Sequence, residues 1–441
     1  KLYIAILLLA GVLTSCKVGK SYVRPDLHLP DSLERAQDSI SFGDQDWRDI
    51  YTDATLRSLI ERALDHNKDM LIAAARVKEM AAQKRISTAA LLPDIKGKVT
   101  AERELENHGG DAFKRSDTFE AQFLVSWELD LWGNLRWARS ASIAEYLQSI
   151  EAQRALRMTI VAEVAQAYYE LVALDTELDI VKQTLKAREE GVRLARIRFA
   201  GGLTSETSYR QAQVELARTA TLVPDLERKI SLKENDIAYL AGEYPNKIAR
   251  SRLLQEFNSP ETLPVGLPST LLERRPDIRQ AEQKLIAANA KVGVAYTNMF
   301  PRLALTGGFG SESTSLSELL KSPYAVMEGA LLTPIFGWGK NRAALKAKKA
   351  AYEAEVHSYE KAVLEAFKET RNAIVNFNKI KEVYELRANL ERSAKSYMDL
   401  AQLQYINGVI NYLDVLDAQR GYFDAQIGLS NAIPVSYTHL R

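Results

Sequence analysis

The chain has 441 residues, 46% of them hydrophobic and 26% charged, a globular composition that excludes disorder as the main state. With 58 basic and 57 acidic residues it lacks the basic footprint of a nucleic-acid binder. The one cysteine excludes an intramolecular disulfide, and no HExxH, GxGxxG or GxxxxGK(S/T) pattern occurs, so no metal and no cofactor is expected.

Residues 2–13 form an unbroken apolar run behind Lys1. As a helix, twelve residues span about 18 Å, too short for a bilayer core of about 30 Å, but they fit the apolar region of a secretory signal peptide. The run ends in Leu13-Thr14-Ser15-Cys16, which resembles the lipobox of bacterial lipoproteins. That resemblance implies a signal peptide over 1–15, lipid on the Cys16 sulfur and a mature protein starting at Cys16. An extended lipidated segment is expected over 16–50.

The first repeat is expected over 51–242, beginning with a helix. Its strands come next. In 118–130, Phe119, Ala121, Phe123, Val125, Trp127 and Leu129 alternate with polar residues, and only Leu124 is out of place. A membrane β-strand needs about 9–11 residues of this kind. Asp94–Glu106 is its expected partner, giving a hairpin over 94–130 around the polar loop 107–116. A helical hairpin follows over 134–242, because Leu135 to Glu190 holds neither Gly nor Pro and is rich in helix formers. Its apolar stripe of Ile160, Val164, Ala167, Leu171 and Leu174 has helical spacing. The helix ends at Gly201-Gly202, with Thr204 or Ser205 expected to cap the next helix, Glu206–Leu240.

Five prolines between 243 and 276 mark a linker, placed at 243–270. Arg274, Arg275, Pro276 and Asp277 open the second repeat, 271–432. Pro276 suits a first helical turn and Asp277 suits the helix's positive end, so the four are read as a structural anchor. A second, weaker hairpin is expected over 302–332, from Arg302–Gly310 and Tyr324–Leu332. A second helical hairpin follows over 338–432. Lys340 to Asn407 again lacks Gly and Pro, and a helix of 68 residues spans about 100 Å. Its charges exclude it from lipid. The turn contains Gly408, and Tyr412–Ser430 resumes the helical pattern. Ile433–Arg441 does not fit the helix and reads as an assembly scar.

The halves repeat. Trp132-Gly133 answers Trp338-Gly339 at an offset of 206, and Leu92-Pro93 answers Phe300-Pro301 at 208. Four strands cannot close a membrane barrel, and open edges in lipid cost several kcal/mol per unsatisfied group. Three chains would supply about twelve strands.

Four stretches carry a family resemblance: Trp127–Gly133, Glu273–Glu282, Leu332–Gly339 and Asn411–Arg420. With them the chain resembles the outer membrane factor family, the TolC-like exit ducts, in its lipoprotein branch. The resemblance implies a mainly α fold with a membrane β-barrel. A homotrimer would form a 12-stranded outer-membrane β-barrel and a periplasmic α-barrel. It implies the exit duct of a tripartite efflux system in a Gram-negative outer membrane, not an enzyme. The partners implied are outer membrane lipid, a periplasmic adaptor and an inner-membrane transporter of the resistance-nodulation-division type.

The resemblance further implies adaptor-contacting tips at Gly201, Gly202 and Gly408 and a periplasmic gate around Tyr405, Asp414 and Asp417. Asp414 and Asp417 share a helix face, and in a trimer they would form carboxylate rings that favour cations. The competing reading is solvated carboxylates or helix N-terminal charge. Arg420 is positioned for an Arg–Asp pair, within or between chains. Ser208 stands where many members carry Asp, and Ile410 where some carry Arg, so the usual inter-helix gate bonds are partly absent. Three alternatives remain in view: the same duct serving type I protein secretion, a coiled-coil lipoprotein tether, and a hydrolase using Asp414 and Asp417.

Overall fold

Period-2 alternation and long Gly-free runs are the two patterns from which the fold is built. The computed structural model describes residues 17–27, 29, 45–107, 109, 113–250 and 272–438. The expected signal peptide, Cys16 and most of the linker lie outside them. The elements are α1 (Trp47–Ile50), α2 (Ala54–His66), α3 (Lys68–Ala89), β1 (Asp94–Glu106), β2 (Lys114–Leu129), α4 (Asn134–Ala200) and α5 (Glu206–Leu240). After the linker come α6 (Pro276–Thr297), β3 (Arg302–Ser313), a 3₁₀ segment (Leu316–Lys321), β4 (Pro323–Leu332), α7 (Lys340–Ile406) and α8 (Tyr412–Thr438).

The chain divides into two units, and each takes segments from both sequence repeats. One covers Lys1–His28, Ala74–Ala152 and Arg274–Val363; the other covers Leu29–Ala73, Gln153–Glu273 and Leu364–Arg441.

The first unit holds one antiparallel sheet in the order β1-β2-β3-β4. Register pairs like with like: Ile95↔Val125, Phe123↔Phe309 and Leu303↔Leu331 share one face, while Lys98↔Gln122 and Thr306↔Glu328 share the other. On the polar face, the Tyr324 hydroxyl donates to Glu120 at 2.7 Å, and Lys98 donates to the same carboxylate at 3.0 Å. Leu124 is the exception in the alternation, and it lies opposite Gly308, where a Cβ would sit 3.6 Å from its Cδ2. That distance is ordinary van der Waals contact, so the leucine packs over the glycine without crowding. From Phe119 to Leu129 the apolar stripe runs about 33 Å along the strand, or about 25 Å upright at a barrel tilt near 40°.

β2 starts at Lys114, inside the expected loop, because Arg103 and Arg115 both bond Asp117 (2.7 and 2.6 Å) and carry pairing outward. β3 likewise runs three residues past Gly310, to Ser313. Below the sheet, Asp130 starts α4 by accepting from the backbone N–H groups of Leu135 and Arg136, each at 3.0 Å. Trp137 on α4 then packs against Ala290 and Val294 on α6.

The second unit has a core shared by α2, α4 and α5: Leu56, Leu59, Ile60, Ile160, Val164, Leu171, Ile230 and Ile237. Burying each such side chain contributes about 1.5–3 kcal/mol. The predicted stripe is this face of α4, with Leu174 half-buried at its margin. Asp53 caps α2 by accepting from Thr55 and Leu56, and its other oxygen accepts from the Tyr168 hydroxyl at 2.7 Å. α8 continues through Thr438, beyond Ser430 where the sequence pattern ended and into Ile433–Arg441, which the sequence pattern had set outside the helix. Extending a helix needs no new nucleus.

Among the described residues, no helix is long and apolar enough to cross a membrane, and no group of His, Cys, Asp and Glu could hold a metal ion.

Candidate functional site

The two long hairpins turn in the same way. Gly202 (φ +70°) and Gly408 (φ +74°) both occupy the left-handed region, with open space where a Cβ would be. The backbone conformation, not crowding, requires glycine there. Leu203 N–H donates to Arg198 C=O at 2.9 Å and Gly202 N–H to Phe199 C=O at 3.0 Å; Val409→Gln404 and Gly408→Tyr405 repeat this at 2.9 and 3.0 Å. This bond pair satisfies the last helical carbonyls. It leaves Leu203, Ile406 and Val409 exposed at the tips. Gly201 does not take a positive φ, and it donates to Ile197 C=O at 3.0 Å.

The following helices start differently. Ser205 stands at the N-cap of α5 but makes no side-chain cap bond, and the Thr204 hydroxyl is buried without a partner. The expected hydroxyl cap is therefore absent. At α8, Asn411 Oδ1 accepts from the N–H groups of Leu413 and Asp414 at 2.8 and 3.3 Å, and Asp414 returns a bond to Asn411 N–H at 3.2 Å. Asp414 thus closes a capping box. Asp417 is exposed one turn on.

Tyr405 is buried. Its ring lies 5.4 Å from that of Tyr412, and the Arg198 guanidinium sits 4.6 Å from its centroid. Burial, with Tyr405 nearby, pushes the Tyr412 hydroxyl pKa up.

Arg420 bonds neither Asp414 nor Asp417. Its guanidinium donates to Glu215 on α5. The other Glu215 oxygen accepts from Arg188 on α4 at 2.6 Å, and Arg218 approaches at 3.5 Å. The Glu215 and Arg188 side chains are only 3% and 7% exposed, whereas Arg420 is 48% exposed. The Arg420 bond, reinforced by Arg188 and opposed by burial, holds the Glu215 carboxyl below the ordinary glutamate range. One buried carboxylate therefore ties α4 and α5 of the first hairpin to α8 of the second. Sequence reasoning missed Glu215 and Arg188. The available signal was a charge in the buried stripe Ala212, Glu215, Thr219 and Leu226.

At the second repeat's start, Arg275 is the N-cap residue of α6 and Pro276 its first helical residue. Arg275 grips Asp277 through two bonds, 3.0 and 2.7 Å. Burial raises the Asp277 pKa, but the Arg275 pair outweighs it and holds the carboxyl low. Arg274 is exposed beside them.

Cys16 lies outside the described residues, but the segment after it is strapped down. Val18 N–H donates to Trp132 C=O at 3.1 Å, and Trp137 Nε1–H donates to Val18 C=O at 2.7 Å. Lys17 lies 3.4 Å over the Trp137 ring. Arg24 then binds Glu282 through two bonds, 2.6 and 2.8 Å.

The family model for outer membrane efflux proteins matches residues 59–243 and 267–433. The outer membrane protein OprJ of Pseudomonas aeruginosa is 33% identical over 95% of this chain and 90% of its own. SilC of Salmonella typhimurium, a probable outer membrane lipoprotein, is 28% identical over 96% and 92%. The open-state outer membrane channel MtrE of Neisseria gonorrhoeae superposes with a TM-score of 0.86 at 28% identity, over 96% of this chain and 98% of that one.

Proposed function

This chain belongs to the outer membrane efflux protein family, and from that premise we propose how its parts work as a duct. It is an outer membrane protein, the passive exit duct of an efflux system. The observation that carries the reading is the two-faced, four-stranded sheet with open edges at β1 and β4. An open edge in lipid leaves backbone groups unsatisfied. Three copies supply twelve strands, an even number within the range of outer membrane barrels. The Phe123 face meets lipid and the Glu120 face lines a water-filled lumen.

Lipid on Cys16 enters the same membrane. Val18, two residues after it, is fixed beside Trp132, three residues beyond β2. The tips at Gly201, Gly202 and Gly408 present Leu203, Ile406 and Val409 to a periplasmic adaptor. The adaptor links the duct to an inner-membrane transporter of the resistance-nodulation-division type, which supplies the energy.

The gate region is α8 with Tyr405. Asp414 and Asp417, each present three times in a trimer, ring the constriction. The Arg188–Glu215–Arg420 cluster makes α8 move with α4 and α5, so adaptor binding dilates three helices of each subunit together. The native mass of the detergent-extracted protein, corrected for bound detergent, tests the assembly. Three chains are expected; a stable monomer would overturn it.

A further inference from the structure

The two hairpins are the same structure shifted along the chain. β1 pairs with β2 as Asp94↔Ser126 and Thr100↔Glu120; β3 pairs with β4 as Arg302↔Leu332 and Gly308↔Val326. Adding 208 to each β1 number and 206 to each β2 number converts the first ladder into the second. These are the sequence offsets of Pro93–Pro301 and Trp132–Trp338. The β2–β3 ladder, Val125↔Gly307, joins repeat one to repeat two. The same step taken once more leads from β4 to a β1 that this chain has already used, so it must come from another copy.

We infer the register of that junction: Leu331 lies opposite Val99 of the partner subunit, and Ala330 opposite Thr100 of the partner subunit. This rests on the trimeric reading above and adds its geometry. Leu331 and Val99 both belong to apolar faces, as do Gly329 and Ala101, so the apolar belt carries across the junction at this level. A slip of one residue would set Leu331 against the partner's Lys98 or the partner's Thr100 and reverse the faces.

A second contact fixes the choice among registers that preserve the faces. At the β2–α4 turn, the Trp132 ring stacks on Phe300 at 5.2 Å, and its Nε1–H donates to Pro301 C=O at 2.8 Å. The equivalents are Trp338 and Leu92-Pro93, at the two opposite edges of the sheet. Trp338 is 90% exposed and Leu92 65% exposed. Trp338 also holds φ +49°, a region non-glycine residues keep when their surroundings enforce it. In the assembly Trp338 seats on Leu92 of the partner subunit and donates to the carbonyl of Pro93 of the partner subunit. The one like-charged pair, Glu328 beside Glu102 of the partner subunit, lies on the wet face, where salt screens it.

Cysteine pairs test this in the full-length protein in outer membrane vesicles, with Cys16 retained. Leu331→Cys with Val99→Cys, and Ala330→Cys with Thr100→Cys, sample both kinds of antiparallel pair, whose Cα spacings both fall within disulfide reach while their side-chain directions differ. Leu331→Cys with Gly97→Cys or Ala101→Cys reports a slip of two. After oxidation, at least one matched pair should give at least tenfold more crosslinked dimer and trimer than either slip pair. Dominant slip-pair crosslinking overturns the register. So does the absence of any crosslink in a protein whose native mass is three chains. A monomeric mass instead overturns the trimer itself. Independently, Trp338→Phe should lower the fraction of trimer surviving SDS, while Trp338→Phe monomers keep wild-type helical circular dichroism. An unchanged trimer fraction would contradict the seat.

Discussion

Replacing Glu215 with glutamine removes the charge on which three arginines converge. Arg188 is 7% exposed, so it would be left as a buried, uncompensated cation. Breaking a buried pair from one side costs about 3–5 kcal/mol. Arg420 is 48% exposed, and water screens its pair, so Arg420→Ala should cost only about 0–1 kcal/mol. Arg188→Ala falls between, because Glu215 keeps Arg420. The double variant Glu215→Leu with Arg188→Met should recover most of the loss, since a packed apolar pair replaces a buried ionic one at little cost. Hydrogen exchange of the amides around 188, 215 and 420, with thermal unfolding, reads the order. If Arg420→Ala costs as much as Glu215→Gln, or the double variant does no better than Glu215→Gln, the reasoning is wrong. The pH dependence has a definite sign. The folded Glu215 carboxyl lies below its ordinary 4.5, so its stabilisation is complete above that value and fades as pH falls through the lower folded one. Tip protection should be flat from neutral pH down to about 5 and lost in stronger acid.

Three further outcomes are expected. Asp414→Ala with Asp417→Ala should raise single-channel conductance and vancomycin entry, whereas Asn411→Ala, which breaks the same capping box but keeps the carboxylates, should not; equal effects would assign Asp414 to the cap alone. Phe123→Arg places charge on the lipid face and should cost about 2–4 kcal/mol of barrel stability, while Gln122→Arg on the lumen face should leave trimer yield near wild type. Gly408→Val forces a β-branched residue to φ +74° and should cost about 1–2 kcal/mol in thermal unfolding, although no neighbouring atom obstructs it.

The long helices and the strands were readable because each had one dominant signal. No Gly or Pro interrupts Lys340 to Asn407, and α7 runs Lys340–Ile406. β1 has the bounds its partner role demanded, Asp94–Glu106. Strand ends were less legible, because Asp117 pairs with arginines across and along the strand, and such pairing has no period. The 3₁₀ segment Leu316–Lys321 lay hidden in a serine-rich stretch. At the candidate site, sequence spacing brought Asp414, Asp417 and Arg420 to one region but not Arg420 to its partner. Glu215 lies 205 residues away, and only the packing of α5 against α8 makes them neighbours. Capping was less legible too: Thr204 and Ser205 looked like the cap of α5 and make no cap bond, whereas the asparagine before α8 caps that helix.

Single-channel recording tests the central claim most directly. The purified full chain, reconstituted in a planar bilayer, should give discrete, ohmic conductance steps in potassium chloride with no nucleotide present. Protein that is verifiably inserted but gives no conductance above bare lipid, in both wild type and the Asp414→Ala, Asp417→Ala variant, would contradict the duct.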